Sequence, residues 1–154
     1  MQSAKLDDAE FARLIRVAPL IAIDIILRDP SRRILLAQRI DEPAKNYFFV
    51  PGGRIFKNET IKVAFERIAS TEVGICLPFE AALLFGVYEH FYSTNRFGDA
   101  SYGTHYIVLA YEANVAGDTK VKLGGSQSAY EWVAESVVLT EPCVHDYVKA
   151  YFKD

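Results

Sequence analysis

The residues with the most legible chemistry lie between Pro51 and Ile75, in the stretch PGGRIFKNETIKVAFERIASTEVGI. Gly52 and Gly53 predict a turn that takes positive φ and lets a ligand approach the backbone closely. Asn58 is predicted to be the N-cap of the following helix, and Glu59 falls in its first turn. A glycine turn beside a helix that carries carboxylates offers oxygen atoms, which are the ligands that a hard cation such as Mg²⁺ prefers.

Glu72 stands where the helical pattern calls for an apolar residue. Ile61, Ala64, Phe65 and Ile68 recur at helical spacing. Glu72 follows on the same stripe, about 20° from Ile61 around the helix. A charge on a core-facing stripe is costly unless it is paired, hydrogen-bonded or bound to a metal. Two interpretations stay open: the helix frays and Glu72 reaches solvent, or Glu72 is a metal ligand.

The same stretch resembles the signature of the Nudix hydrolases, Gly-x5-Glu-x7-Arg-Glu-apolar-x-Glu-Glu-x-Gly-apolar. Ile68 and Thr71 occupy two positions where the family usually has further glutamates. The resemblance therefore implies a reduced site that holds one Mg²⁺ per subunit. The residues that fall in register are Gly53, Glu59, Arg67, Glu72, Gly74 and Ile75.

The lost glutamates and the variant Phe65-Glu66-Arg67 resemble one branch of that family, the GDP-mannose mannosyl hydrolases. Enzymes of that branch use Mg²⁺ and cleave at the anomeric carbon of the sugar, whereas most of the family attacks phosphorus. The resemblance extends over nearly the whole chain, including the segment YFFVPGGR. It implies a Nudix-type α/β/α sandwich with a mixed sheet, a nucleotide-sugar substrate and a homodimer.

The resemblance also implies roles for individual residues. Arginine binds phosphate oxygens through two parallel hydrogen bonds, so the arginines suit a diphosphate, although each alone also fits a surface charge. His90 also fits a structural strand histidine. The implied metal ligands are Gly52 (carbonyl), Glu72 and Gln127; the implied substrate contacts are Asp24, Arg39, Arg54, His90 and Tyr106; the implied catalytic residues are Arg39, Glu59, Arg67 and Gln127.

The general base is missing from the pattern. The branch carries a Gln-His pair, ligand and base, before a Tyr-x-Trp segment, and this chain has Ser126-Gln127-Ser128 there. Without a gap, Ser126 replaces the ligand and Gln127 the base. Shifted by one, Gln127 is the ligand and Ser128 replaces the base. Neither Gln nor Ser accepts a full proton near neutral pH.

Three functions stay open. The first is an Mg²⁺-dependent hydrolase of a GDP-sugar that releases GDP and free hexose. The second is a nucleoside-diphosphate-sugar pyrophosphohydrolase that attacks phosphorus. The third is a nucleotide-sugar binder with little turnover.

Composition narrows the class of protein. The 154 residues are 51% apolar and 24% charged, so we expect a single domain over residues 1–154. A net charge of −3 argues against nucleic acid as a partner. No apolar run is long enough for a membrane span, and the N-terminal stretch MQSAKLDDAEFARLI lacks a signal-peptide core. Cys76 and Cys143 have no metal or disulfide spacing, which predicts reduced thiols in a cytoplasmic protein.

The candidate residues must be positioned by a mixture of strands and helices. Hairpin strands combined with three helices predict an α+β domain with helices packed on a mixed sheet. The predicted helices cover residues 6–16, the signature stretch, and 141–152 with Pro142 in the first turn; the predicted strands cover residues 20–27, 34–37, 47–51, 81–92, 104–115 and 129–133.

Overall fold

The computed structural model describes residues 5–154, so the first four residues of the N-terminal stretch lie outside it. The predicted hairpin and the two long strands are present, and the N-terminal helix lies within two residues of its predicted bounds. In chain order the elements are α1 (Asp8–Val17), β1 (Leu20–Arg28), β2 (Ile34–Arg39), β3 (Phe48–Phe49), β4 (Gly52–Arg54), α2 (Ile61–Val73), a 3₁₀ turn (Phe79–Ala81), β5 (Ala82–Tyr92), β6 (Thr104–Asn114), β7 (Gln127–Val133), α3 (Glu135–Val138) and α4 (Asp146–Lys149).

The strands form one mixed sheet in the order β3-β2-β1-β6-β5, with β4 paired to β1 and β7 paired to β2. β1 runs parallel to β6 and antiparallel to β2 and β4. Because β1 lies at the centre and is covered on both faces, eight of its nine residues are buried. The mixed sheet confirms the predicted α+β class.

The core lies in two layers because alternate strand residues point to opposite faces. On one face, α2 packs Phe65 and Ile68 against Ile23 and Ile25 of β1. On the other face, the C-terminal segment packs against the sheet through buried apolar residues. These include Val138, Val144, Val148, Tyr151 and Phe152. Together the layers make the α/β/α sandwich.

The start of α2 differs from the prediction. The N-cap is Thr60, whose hydroxyl accepts from the Val63 N–H at 3.2 Å. Asn58 adopts a left-handed conformation with φ 71°, so it belongs to a turn, and Glu59 precedes the helix. Asn tolerates positive φ better than most residues, which explains why it suits that turn.

Gly52 and Gly53 do not form the predicted turn. Both lie in β4, paired with β1, and neither has a positive φ. Glycine is needed at Gly52 for space, because a Cβ there would clash with Asp24 Oδ1 and lie 2.8 Å from the Ile23 carbonyl oxygen. The turn prediction was wrong; the backbone is closely approached at Gly52, but by strand β1, and the close approach of a ligand stays a prediction.

The predicted helix over residues 141–152 is also wrong. Val144 forms a parallel bridge to Phe48, and the Phe48 N–H donates to the Cys143 carbonyl at 2.8 Å. This pairing holds the chain extended after Pro142, so the only helix within the predicted range is the short α4, Asp146–Lys149. His145 caps α4 by accepting from the Tyr147 N–H at 3.1 Å.

Two features bear on the predicted location. Within residues 5–154, every helix is too short or too polar to serve as a membrane span. Cys76 and Cys143 are free and exposed. The reduced state of these thiols and the cytoplasmic location stay predictions.

Candidate functional site

A cleft of about 340 Å³ opens where β4, the signature helix α2 and β6 meet. A smaller cavity of about 70 Å³ adjoins it and shares Gly52, Arg54 and Tyr106. The fold thus brings all ten predicted site residues to these cavities or to their lining residues, Glu59 through its hydrogen bonds to Arg67. The cleft is lined by Gly52, Arg54, Arg67, Glu72 and Tyr106, and the smaller cavity adds Asp24, Arg39 and His90, while Gln127 contacts Glu72.

Glu72 and Gln127 form the pair that best fits a metal site. α2 continues to Val73, so Glu72 lies in its last turn, half-buried, and the fraying interpretation is wrong. Gln127 Nε2 donates to Glu72 Oε2 at 2.8 Å. Gln127 Oε1 is buried and has no hydrogen-bond partner among residues 5–154. Because burial favours the neutral acid, the pKa of Glu72 is raised, and the Gln127 hydrogen bond lowers it only in part.

The loop before β7 delivers Gln127 to the helix end. The Lys122 N–H donates to the Val73 carbonyl and the Gly124 N–H to the Glu72 carbonyl, both at 2.9 Å. These bonds satisfy carbonyls that a helix C-terminus otherwise leaves free. A Cβ at Gly124 would lie 2.5 Å from the Thr71 carbonyl oxygen, so only glycine fits there.

The contact bears on the two alignments left open by the sequence. Gln127 touches Glu72, as the shifted alignment requires of a ligand. Ser128 is exposed, and its hydroxyl donates to Gln38 Oε1 at 3.3 Å. Ser126 lines the cleft. The residue in the base position of the shifted alignment therefore contacts another strand at the surface.

These residues fit a single Mg²⁺. The Glu72 carboxylate and the Gln127 amide oxygen, which has no partner within residues 5–154, are hard oxygen donors, the class that Mg²⁺ prefers alongside waters. Gly52, whose carbonyl is the third expected donor, lines the same cleft as Glu72. Among residues 5–154, no cluster of three His, Cys, Asp or Glu side chains is arranged to hold a metal. Ile68 is fully buried in the core and Thr71 is exposed, so neither replaces a missing carboxylate.

Arg67 and Glu59 form a bracket around the segment before α2. Arg67 Nε and Nη2 donate to the two Glu59 carboxylate oxygens at 2.6 and 2.9 Å, and Nη2 also donates to the Arg54 carbonyl at 2.8 Å. Glu59 Oε2 accepts from the Phe56 N–H at 2.8 Å. The Arg67 guanidinium lies 3.9 Å from the centre of the Phe56 ring. Because of these contacts, the pKa of Glu59 is lowered, chiefly by Arg67.

Arg54 is held by aromatic rings and faces both cavities. Its guanidinium lies 4.7 Å from the Phe11 ring centre and 4.9 Å from that of Phe56. Burial lowers the pKa of Arg54, yet arginine stays charged at neutral pH. With Arg67 it gives the cleft a positive lining that suits a diphosphate.

The cleft is also lined by two cations that sequence reasoning missed, Lys5 and Arg96. Arg96 follows the buried Asn95, whose amide donates to the carbonyls of Asp99 and Tyr102 at 2.6 and 2.8 Å. Asn95 therefore fixes the loop that presents Arg96. A buried, loop-fixing Asn has no periodic signature, so nothing in the sequence pattern marks its neighbour.

In the wall of the smaller cavity, the Tyr151 hydroxyl lies between the side chains of Asp24 and His90. The Tyr151 hydroxyl donates to Asp24 Oδ2 and lies 3.5 Å from His90 Nε2. Burial raises the pKa of Asp24 to about 7, against the lowering effects of the Tyr151 hydrogen bond and the Arg39 charge. Burial lowers the pKa of His90 to about 4, so this imidazole is neutral at pH 7. Sequence reasoning found Asp24 and His90 but missed Tyr151.

Arg39 completes the smaller cavity at the end of β2. Its Nε donates to the Pro43 carbonyl at 2.8 Å, which holds the side chain against the loop before β3. Tyr106 lines the same cavity. Burial raises the pKa of its hydroxyl, and the charges of Arg39 and Arg54 offset that rise only in part. The arrangement can therefore bind an anion in the cleft and a polar group in the smaller cavity.

Comparisons with known proteins agree with this architecture. The NUDIX domain family model matches residues 18–151. The Low-salt glycan biosynthesis protein Agl8 of Haloferax volcanii is 34% identical over 116 residues, which cover 75% of this chain and 72% of that protein.

Solved structures share the fold at low sequence identity. The MutT protein from Methanosarcina mazei Go1 has a TM-score of 0.71 at 19% identity, covering 87% of this chain and 91% of that chain. The NUDIX domain of Shewanella oneidensis NrtR, in complex with ADP ribose, has a TM-score of 0.65 at 18% identity, covering 95% of each chain. The family match over most of the chain, with the Agl8 likeness, shows that this chain belongs to the Nudix hydrolase family.

Proposed function

We propose that the protein is an Mg²⁺-dependent hydrolase of a GDP-hexose, of the GDP-mannose or GDP-glucose type, that releases GDP and free sugar. The observation that carries the proposal is the Glu72–Gln127 pair beside a cleft lined by arginines, with an amide oxygen that has no partner in the part of the chain that the structure describes. Members of this family generally use a divalent metal, and the oxygen donors here suit one Mg²⁺.

A nucleotide sugar is the substrate class that the surroundings favour. Agl8 is named for glycan biosynthesis, and glycans are built from activated sugars. The NrtR domain was solved with ADP ribose, in which a diphosphate links a nucleoside to a sugar. The positive cleft suits a diphosphate, and the adjoining smaller cavity, lined by Asp24 and His90, suits polar groups at one edge of the sugar.

The residues of this chain supply binding and orientation. Arg54, which lines both cavities, and Arg39 of the smaller cavity bind the diphosphate where the two cavities adjoin, while neutral His90 and Asp24 hydrogen-bond the sugar. Glu72, Gln127 and the Gly52 carbonyl would hold Mg²⁺, which would supply positive charge to stabilise the GDP leaving group. Arg67 and Glu59 keep the segment that carries Arg54 in place.

The base that activates water is the point at which this chain departs from the branch. We propose that Asp24, a carboxylate that lines the smaller cavity beside Gly52, accepts the proton in place of the histidine. A positioned general base contributes about 10²–10⁴-fold, so we expect slow turnover if Asp24 is a poor substitute for histidine.

Product identity tests the proposal. GDP-mannose is incubated with the protein and Mg²⁺, and the nucleotide products are separated by chromatography. GDP with free hexose supports attack at carbon, whereas GMP with sugar phosphate supports the pyrophosphohydrolase. The Glu72→Gln variant and a chelator serve as controls. The binder is supported if no nucleotide sugar in a panel is consumed while GDP-mannose raises the Tm.

A further inference from the structure

The side chain of Tyr151 reaches two of the predicted substrate contacts at once. Asp24 points to the same face of the sheet as Ile26, two residues further along β1, because strand side chains alternate. His90 on β5 points to that face as well. The C-terminal segment covers the face, and the buried Tyr151 places its hydroxyl between the Asp24 carboxylate and the His90 ring.

The Tyr151 hydrogen bond sets the direction of the Asp24 carboxylate. The hydroxyl donates to Asp24 Oδ2, and the other oxygen, Oδ1, lies against Gly52, where a Cβ would clash with it. The last torsion of an aspartate side chain is otherwise broad, so a carboxylate without such a bond samples many orientations. Tyr151 therefore keeps Oδ1 on the side of Gly52, which lines both the cleft and the smaller cavity.

The same hydroxyl faces the imidazole of His90. Tyr147 stacks on this imidazole with 4.2 Å between the ring centres and 6° between the ring planes, which fixes the plane of the ring. His90 Nε2 lies 3.5 Å from the Tyr151 hydroxyl oxygen. A tyrosine hydroxyl has a single proton, and Asp24 receives it, so toward His90 the oxygen can only accept. Acceptance there requires the His90 tautomer that carries its proton on Nε2.

The Tyr151 side chain is held in place by more than its hydroxyl. Burial, followed by the charge of Asp24 and the hydrogen bond to it, raises the pKa of Tyr151, so the hydroxyl keeps its proton at neutral pH. Tyr88 packs edge to face on the Tyr151 ring, with 4.6 Å between the ring centres. Removal of the hydroxyl alone should therefore leave the ring packed and change only the two polar contacts.

We propose that Tyr151 is a positioning residue for the reaction at the sugar: its hydroxyl orients the Asp24 carboxylate and holds His90 in one tautomer. The inference rests on the proposed function, because both groups act only on a sugar that lies in the smaller cavity. Tyr151 lines neither the cleft nor the smaller cavity, so it acts through its two neighbours and not on the substrate. Groups that are already oriented need no reorganisation during the reaction.

Steady-state kinetics with GDP-mannose or GDP-glucose separate positioning from binding. Tyr151→Phe should lower kcat by about 10–100-fold, because misdirected polar groups slow the chemical step. The KM should change by less than about threefold, and the Kd of GDP by less than about twofold in titration calorimetry. Tyr88→Phe is the matched control: it removes a hydroxyl that bonds neither Asp24 nor His90, and it should keep the wild-type kcat. A wild-type kcat for Tyr151→Phe, or a loss of GDP affinity as large as the loss of kcat, overturns the proposal.

The tautomer of His90 is a second measurement, and it also covers a Tyr151→Phe protein that fails to fold. Two-bond ¹H–¹⁵N correlation spectra of the wild type are recorded at pH 8, where Asp24 is ionised, and His90 is assigned by the loss of its signal in His90→Gln. The spectra should show a proton on Nε2 and none on Nδ1. A proton on Nδ1, or an exchanging mixture of tautomers, overturns the proposal. If the wild type consumes no GDP-sugar, the proposed function fails, whereas the tautomer still decides whether Tyr151 holds His90.

Discussion

Glu59 precedes α2 and Glu72 lies in its last turn, and the two carboxylates differ in how completely they are satisfied. Both Glu59 oxygens are bonded by Arg67, and one also accepts from the Phe56 N–H. Within the described residues 5–154, the side chain of Glu72 has one hydrogen-bond partner, the neutral Gln127, whose own oxygen is buried without a partner. A saturated pair has little capacity left for a ligand, whereas the open pair has donors to offer.

The pKa directions show the same difference. The neighbouring arginine lowers the pKa of Glu59, so its charge is stable in the folded protein. Burial raises the pKa of Glu72, so its charge needs a compensating cation. The signature helix therefore has one end built for structure and one end suited to bind.

The largest expected effect is at the open end. Glu72→Gln removes the one anionic ligand and should reduce kcat by roughly 1,000-fold, about 4 kcal/mol of transition-state stabilisation. The Mg²⁺-induced rise in Tm should disappear, while the metal-free Tm changes little. Glu66→Gln is the matched control, because Glu66 accepts from the Phe79 N–H at 3.1 Å outside the cleft. If the Glu72→Gln variant turns over at the wild-type rate, Glu72 is not the metal-binding carboxylate and its contrast with Glu59 fails.

At the saturated end, stability should change first. Glu59→Gln leaves the part-buried Arg67 without its bidentate partner and should cost about 2–4 kcal/mol of unfolding free energy. The expected fall in Tm is about 5–10 °C, measured calorimetrically. Glu80→Gln, which breaks the exposed Lys62–Glu80 pair, should leave the Tm nearly unchanged. An unchanged Tm with abolished turnover would instead make Glu59 a participant in the chemistry.

A substitution at Gln127 tests whether this residue is a metal ligand or only packs against Glu72. Gln127→Ala removes one neutral oxygen and should weaken Mg²⁺ binding by about 10–100-fold, or about 1.5–3 kcal/mol, by titration calorimetry. Ser128→Ala is the control, since Ser128 contacts Gln38 at the surface. Equal Mg²⁺ affinity in both variants would show that the open amide oxygen is not a metal ligand.

A third carboxyl group, Asp24, extends the comparison of the carboxylates, because its pKa makes stability depend on pH. Its folded pKa of about 7 exceeds the ordinary value of 3.8, so the folded state retains a proton that the unfolded chain releases. Stability is therefore lost as pH rises from about 4 to 7. Asp24→Asn should raise the Tm by about 3–8 °C at pH 8 and by little at pH 4, in thermal melts.

Asp29 is a control, because its contribution to stability should change with pH in the opposite direction to that of Asp24. Hydrogen bonds and charge from Arg33 outweigh burial and lower the pKa of Asp29. Its stabilisation is present above the unfolded pKa and is lost as pH falls through the lower folded value. Asp29→Asn should therefore lower the Tm at pH 7 and make little difference in strong acid. If the Asp24→Asn variant has the wild-type Tm at every pH, the raised pKa of Asp24 is contradicted.

Sequence reasoning predicted the features that depend on local pattern. The hairpin of β1 and β2 follows from apolar runs separated by Asp29-Pro30-Ser31. Glu72 is visible because a charge interrupts an apolar helical period. Its partner Gln127 lies 55 residues away, and only the family resemblance names it.

Features that depend on long-range contacts could not be predicted. The last helix begins only at Asp146, because Val144 bridges to Phe48, a pairing that the local sequence does not encode. The Tyr151–Asp24 hydrogen bond joins residues 127 positions apart, so Tyr151 has no local signature. Gly52 shows the intermediate case: the need for close approach is readable, but the strand that imposes it is not.

The most direct test of the one-metal, carbon-attack account is turnover of GDP-mannose with Mg²⁺ in water enriched in oxygen-18. The label is read in the phosphate products by mass spectrometry, because free hexose exchanges its anomeric oxygen with water. The account predicts unlabelled GDP as the nucleotide product. Label in GMP or in sugar phosphate would mean that water attacked phosphorus, and it would contradict the account.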